Sequence, residues 1–187
     1  MSKSVLAVAL AALAAAVQSQ TYAIDPSHTA VIFEADHYAT STNRGRFAAK
    51  EGSVTIDRAG HKSSVEVIVD MASLITGVAA LDRQLQGKNF FNVAEHPVGR
   101  FVASGFSFAD DRVTEVSGAL TLLGTTQPVT LRAMRFNCYR HPLLKREVCG
   151  GDFETTIRRS RWGITRGLDS GFQDEVRLLV QVEAIAQ

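Results

Sequence analysis

The sequence predicts an all-β fold, an eight-stranded antiparallel β-barrel with one short helix, on three observations. Apolar and polar residues alternate with a period of two through most of the chain beyond residue 20, the pattern of half-buried strands. The alternating runs are joined by short polar or glycine-containing turns, which connect antiparallel neighbours. Only the segment 77–87 carries helical spacing. An open meander of this kind exposes two edges, and closure into a barrel removes them.

The elements follow in order. Residues 1–19 read as a secretory signal peptide: Lys3, an alanine-rich apolar run from Val5 to Val17, then Gln18 and Ser19 as the exit. Cleavage is expected after Ser19, with Ala23 as the alternative, leaving 20–187 as one domain. The run is too short for a comfortable membrane span, so the mature protein is expected to be exported and not integral to the membrane. Without Lys3 the chain balances 19 basic against 19 acidic residues. Such a balance speaks against a nucleic-acid partner, which would need a basic excess.

Tyr22 to Asp25 is a short extended piece ending at Pro26, and Thr29 to His37 alternates with Val31, Phe33, Ala35 and His37 on one side. Ser41 to Gly45 reads as a polar turn. Arg46 to Asp57 is a strand in which Phe47 has the wrong parity for Val54 and Ile56, so a bulge is expected near Gly52. Arg58 to Lys62 is a turn, followed by a strand carrying Val65, Val67 and Val69. In the helix 77–87, Val78, Leu81 and Leu85 share a face and Gly87 ends it.

The stretch from Lys88 to Phe108 holds five of the ten phenylalanines: Phe90, Phe91, Phe101, Phe106 and Phe108. It reads as an aromatic knot, a turn, then a strand from Val98 to Ala109. That strand pairs with Val113 to Leu123, where Val116, Gly118, Leu120 and Leu122 share a face. Gly124 to Gln127 turns, and Val129, Leu131 and Ala133 begin the next strand, which reaches Tyr139. Val148 to Arg158 returns. Arg159 to Gly171 is a loop carrying the single tryptophan, Trp162. The last strand, Glu175 to Ala184, sets Val176, Leu178, Val180 and Val182 against polar residues.

Strands of ten residues span roughly 30 Å, so the barrel is a tube. Eight strands leave an interior that is either filled by side chains or wide enough for one small ligand. A hollow tube lined by Val, Leu and Phe suits a long, thin apolar molecule. These residues alone do not decide between hollow and filled.

Cys138 and Cys149 bracket a turn signalled by His141 and Pro142, and an oxidising compartment favours a disulfide between them. The rival readings are a metal site of Cys138, His141 and Cys149, which lacks a fourth ligand at a known spacing, and two unpaired thiols. The five histidines show no HxH or HExxH spacing. Asp25, Ser27 and His28, with His37 as a further candidate, have the residue types of a hydrolytic triad, but no Gly-x-Ser-x-Gly elbow is present and the first three crowd one short segment. A turn is the simpler reading, and no enzymatic activity and no cofactor are expected. Arg44, Arg46, Arg158, Arg159 and Arg161 are candidates for an anionic head group, because the guanidinium fork pairs with phosphate oxygens.

Four segments carry a family resemblance: Tyr22 to His28 (YAIDPSH); Phe90-Phe91 with Pro97 and Phe101 to Ser104; Gly118 to Gly124 (GALTLLG) with Pro128-Val129; and Arg159-Ser160 with Gly163-Ile164. In this order and spacing the chain resembles the YceI-like family of exported bacterial lipid-binding proteins. The resemblance implies an extended, lipocalin-like barrel with an apolar tunnel, a bound polyisoprenoid, quinone or fatty-acid-derived lipid, and residence in the periplasm. Three positions depart from the family pattern: Gln84 where a histidine is common, Lys50 where a phenylalanine is common, and Arg161-Trp162 in place of an Asp-Phe pair. They bear on the ligand more than on the fold.

With strand parity, the expected tunnel lining is Val31, Phe33 and Phe47 near the start, Val67 and Phe101 in the middle, Leu120, Leu122 and Leu131 beyond, and Val176 and Leu178 on the last strand. Phe90 and Phe91 are placed at one end, with His37 and Arg159 toward a polar ligand terminus. A filled barrel acting as an interaction or stress-response module is the alternative function, with a hydrolase using His28 behind it. A homodimer is compatible with everything above.

Overall fold

The fold is taken from a computed structural model that describes residues 19–57, 63–110 and 112–187. Apart from Ser19, the signal-peptide segment lies outside the described residues, as does the turn at 58–62. The strands are β1 (Gln20–Ile24), β2 (Ala30–His37), β3 (Ser41–Ile56), β4 (Ser64–Ile75), β5 (Val98–Ala109), β6 (Arg112–Leu122), β7 (Thr125–Arg140), β8 (Glu147–Arg158) and β9 (Glu175–Ala186). One helix, α1 (Ala79–Gln86), follows β4, and two 3-10 turns, Arg159–Trp162 and Leu168–Ser170, lie between β8 and β9.

Each strand from β2 to β9 pairs antiparallel with its neighbour in sequence, β3 to β4 included, and β2 pairs with β9, which closes the barrel. The first stave is broken. β1 and β2 run in the same direction, both between β3 and β9: β1 lies against Ser53 to Ile56, and β2 against Ser41 to Ala48. Nine strands therefore make eight staves, with residues 25–29 as the step in the wall.

Two expected turns are corrected. Ser41 to Gly45 belongs to β3, paired with His37 back to Phe33. The reversal sits earlier, where Tyr38 and Ala39 take positive φ (57° and 53°). Likewise Thr125 opens β7, and the hairpin turns on Leu123 and Gly124 (φ 50° and 72°). Positive φ at both central residues gives the tight hairpin that matches strand twist. Composition points to polar and glycine residues, and here Tyr38 and Leu123 occupy strained positions instead.

The parity conflict in β3 is resolved by bulges, as expected, but not at Gly52: the register shifts across Phe47 and again across Lys50. Further shifts fall between Ala103 and Gly105 in β5, and between Ala133 and Arg135 in β7. Each restores the inward face, which is why Phe101 and Phe106, of opposite parity, line the same interior.

The helix is shorter than expected. Val78 caps it without a side-chain hydrogen bond; instead the Asp82 carboxylate accepts from the Thr76 backbone N–H (2.7 Å) and hydroxyl (2.6 Å), fixing the entry. At the same end, β7 and β8 pair only from Arg132 and Glu154 onward. Trp162 packs with Val129 and Ile157 in the gap, 2 % exposed, its indole N–H donating to the Leu120 carbonyl at 3.0 Å.

Candidate functional site

The interior of the barrel is hollow, and it has two parts. The outer space has a volume of about 600 Å³ and is walled by β2, β3, β9, α1, the Phe90-Phe91 turn and the loop 159–173. The inner space, about 130 Å³, runs deeper between Val54, Val65, Leu131, Phe153 and Val182, with an almost wholly apolar lining. The two meet at a waist formed by Val31, Val69, Leu120 and Leu178, which border both. At the deep end Tyr22, Ile56, Val113 and Cys149 are all buried. At the other end the exposed residues Tyr38, Gln84, Arg166 and Gln173 border the outer space, so the bore meets solvent there.

All the sequence-picked lining residues stand on this wall. Phe33, His37, Phe47, Phe90, Phe91, Leu122, Arg159 and Val176 border the outer space. Val67, Phe101 and Leu131 border the inner one, and Val31, Leu120 and Leu178 the waist. Phe90 and Phe91 both face the outer space because they lie in a turn, where neighbours need not point to opposite sides as they do in a strand.

The mouth is polar on one side. Arg159 spends three N–H groups on its own loop: Nε donates to the Gln173 carbonyl (3.1 Å), and Nη1 to those of Ile164 (2.9 Å) and Arg166 (3.0 Å). Its Nη2 has no hydrogen-bond partner among the described residues. Loss of hydration lowers its pKa, which the charge of Asp174 opposes. Burial pushes the Asp174 carboxyl up, but hydrogen bonds from the Ser160 N–H (2.8 Å) and hydroxyl (2.7 Å), with the charges of Arg159 and Arg158, hold it below the ordinary carboxylate range. The loop is thus tied internally to Arg159 and to the base of β9. Across the rim, Phe172 packs on Tyr38 (centroids 4.7 Å apart) and His37 (5.4 Å).

The remaining candidate arginines lie outside. Arg44 pairs with Glu34 (2.7 Å) in a ladder that continues through Arg177 and Glu154 to Arg132, five charges across five staves. Hydrogen bonding from Arg44, then from Arg177, holds the Glu34 carboxyl below its ordinary range against the opposing effect of burial. Arg46 is exposed and borders neither space. Arg158 lies 3.9 Å from Glu175, and Arg161 donates to the Gln127 side chain.

Cys138 and Cys149 are directly opposed across β7 and β8, Cα atoms 4.1 Å apart, and form a disulfide. The metal reading is thereby withdrawn, since both sulfurs are spent. Asp25, Ser27 and His28 fill the step in the first stave. The Asp25 carboxylate accepts from the Ser27 N–H (2.9 Å) and hydroxyl (2.6 Å) and contacts His28 Nδ1 at 2.8 Å. Ser27 Oγ also meets Nδ1, at 3.0 Å. A nucleophilic triad places its carboxylate and hydroxyl on opposite imidazole nitrogens, whereas both groups here share one. The cluster is built as a turn.

Sequence reasoning missed Met71 on the outer wall and Arg166 and Phe172 at the rim. Gly167 and Gly171, both at positive φ, precede the last of these and could have marked Phe172 as a side chain set by a tight turn. Nothing in the sequence distinguishes Arg166 from a solvated arginine.

An up-and-down β-barrel with an apolar bore open at one end defines a class of binding folds in which a ligand is sheathed by the wall. The YceI-like domain profile matches residues 22–184, and the chain belongs to that family. Protein YceI of Salmonella newport (strain SL254) is 31 % identical over 194 aligned residues that cover the whole of both chains. Among solved structures, BcnA of Burkholderia cenocepacia superposes with a TM-score of 0.67 at 22 % identity, covering 86 % of this chain and 99 % of that one. A polyisoprenoid binding domain from Saccharophagus degradans, implicated in plant cell wall breakdown, superposes at 0.62 with 15 % identity, over 89 % and 98 % of the two chains. These two likenesses establish the shared fold.

Proposed function

We propose that the protein is a non-catalytic carrier or reservoir for a long-chain apolar amphiphile, a polyisoprenoid, quinone or fatty-acid-derived lipid, held tail-first in the bore. We further propose that it acts in the periplasm after removal of residues 1–19. One observation carries the reading: an almost wholly apolar inner space and a larger outer space share Val31, Val69, Leu120 and Leu178 as lining, and the polar groups gather at the mouth. Each buried methylene contributes about 0.8 kcal/mol, so a long tail needs no polar contact to bind. The Arg159 Nη2 group and the His37 edge then meet the head group. The Saccharophagus polyisoprenoid-binding domain supports this choice of ligand class.

Native mass spectrometry of protein purified from its own cell envelope tests the proposal. A retained species of defined mass, extractable into organic solvent and identifiable as a lipid, is the expected result. A chain that is bare in every preparation, and stays bare after incubation with envelope lipid extract, refutes it.

A further inference from the structure

The hairpin joining β7 and β8 projects at the end opposite the mouth, and its tip displays what a folded barrel ordinarily hides. Leu143 is 84 % exposed and Leu144 44 %. The tip is ordered by its own hydrogen bonds: His141 N–H donates to the Arg146 carbonyl (2.9 Å) and Lys145 N–H to that of His141 (3.0 Å). The Leu143 and Leu144 N–H groups both donate to His141 Nδ1, at 3.2 and 3.1 Å. The disulfide Cys138–Cys149 bridges the strands just below. Two leucines on a braced turn are thus presented to solvent by construction.

The charges on the tip itself have one sign. Arg140, Lys145 and Arg146 are exposed, and no acidic residue lies between His141 and Arg146. Among the described residues Arg140 and Lys145 have no ion-pair partner, and Arg146 donates only to the Ala186 carbonyl. Two acids border the base of the hairpin: Glu147, the register partner of Arg140, is engaged by the Tyr22 hydroxyl, and Glu183 is met by the Tyr139 hydroxyl at 3.5 Å. Tyr139, 42 % exposed, stands on the shank of the hairpin. Apolar side chains at an apex, a tyrosine behind them and unpaired cations beside them match the polarity profile of an anionic lipid surface.

We propose that this hairpin tip docks the protein on an anionic membrane surface, Leu143 and Leu144 entering the headgroup boundary and Arg140, Lys145 and Arg146 meeting lipid phosphates. The site is separate from the bore and does not depend on what the bore holds.

Flotation with protein-free vesicles of phosphatidylethanolamine and phosphatidylglycerol, against vesicles of phosphatidylcholine, tests it, with all proteins purified and processed alike. Partition of the wild type into the anionic vesicles should exceed that into the neutral ones at least tenfold and weaken with salt. The pair Leu143→Ser and Leu144→Ser should lose tenfold or more with an unchanged unfolding transition. Arg140→Gln with Lys145→Gln should bring anionic partition down toward the neutral level. Leu143→Trp should shift its added emission to the blue when anionic vesicles are supplied. A bore-blocked variant, Leu120→Trp with Leu178→Trp, should float as the wild type does, which separates docking from lipid loading. Equal partition of the leucine pair and the wild type, or no spectral shift, overturns the proposal. Retention by an envelope protein with no binding to protein-free vesicles also overturns it.

Discussion

Phe91 meets Phe47 edge to face, ring centroids 5.2 Å apart and planes at 86°. One ring comes from the turn after α1 and the other from the bulge in β3, so this contact fastens the helical segment to the barrel wall at the mouth. Phe91→Ala is expected to cost about 2 kcal/mol, below the range for a fully buried phenylalanine because Phe91 is half-buried. Urea denaturation measures it. Bound lipid should also dissociate faster from this variant, since one side of the mouth loses its anchor.

Leu120 and Leu178 both stand at the waist. Replacing both with Trp should abolish lipid retention in native mass spectrometry while the far-ultraviolet spectrum keeps its β signature. Overpacking a filled core costs about 1–3 kcal/mol per site. In a hollow one the new rings take empty space, so the double variant should lose less than about 2 kcal/mol in total.

Gly45 lies under the Phe33 ring: a Cβ there would fall 2.3 Å from Phe33 Cε1. Gly45→Ala therefore drives the ring off the wall. A loss of about 1 kcal/mol is expected, with slower lipid uptake because the displaced ring narrows the outer space. Uptake kinetics on matched wild type and variant check this; an unchanged rate would place Phe33 away from the ligand's route.

Replacing Cys138 and Cys149 with Ser removes a cross-link that closes a short loop, sequence separation 11. Stability should fall by about 2–3 kcal/mol. Guanidinium denaturation of the double variant, compared with reduced and oxidised wild type, measures it.

The Asp25–His28 contact gives a pH signature. The hydrogen bond that the His28 imidazole donates to the Asp25 carboxylate, then the charges of Asp25 and Glu183, raise the His28 pKa. A raised histidine contributes stability that is complete below its unfolded value and fades as pH rises through the folded one. Burial pushes Asp25 up, but the hydrogen bonds from Ser27 and His28 outweigh it and depress the carboxyl, whose contribution fades as pH falls through its folded value. The pair should therefore add most between the ordinary carboxylate and imidazole ranges. The difference in thermal midpoint between wild type and His28→Ala should peak in that window, and be small because His28 is exposed.

The strands, the barrel and the inward faces were legible because alternation survives wherever a strand is unbroken, as in β9 from Val176 to Ala184. Bulges were legible only as conflicts. Phe47 against Val54 signalled one in β3, but its position at Lys50 rather than Gly52 depends on how β4 pairs, which is not local information. The two corrected turns failed for a similar reason: Tyr38 and Leu123 hold positive φ because closure of the sheet demands it, against their own preference. The apolar wall could be read residue by residue, yet hollowness could not, since it depends on volume summed over eight staves. Of five candidate arginines only Arg159 reached the bore. Arginines elsewhere are drawn into cross-strand pairs such as Arg44–Glu34, and spacing in the chain does not reveal a partner on another stave.

At the deep end Tyr22, Ile56 and Val113 are buried, whereas exposed side chains border the outer space at the mouth. For a carrier that holds its cargo tail-first, release at that mouth means backing out, head before tail. Giver and receiver would then take turns at the same threshold, and delivery would proceed by alternation.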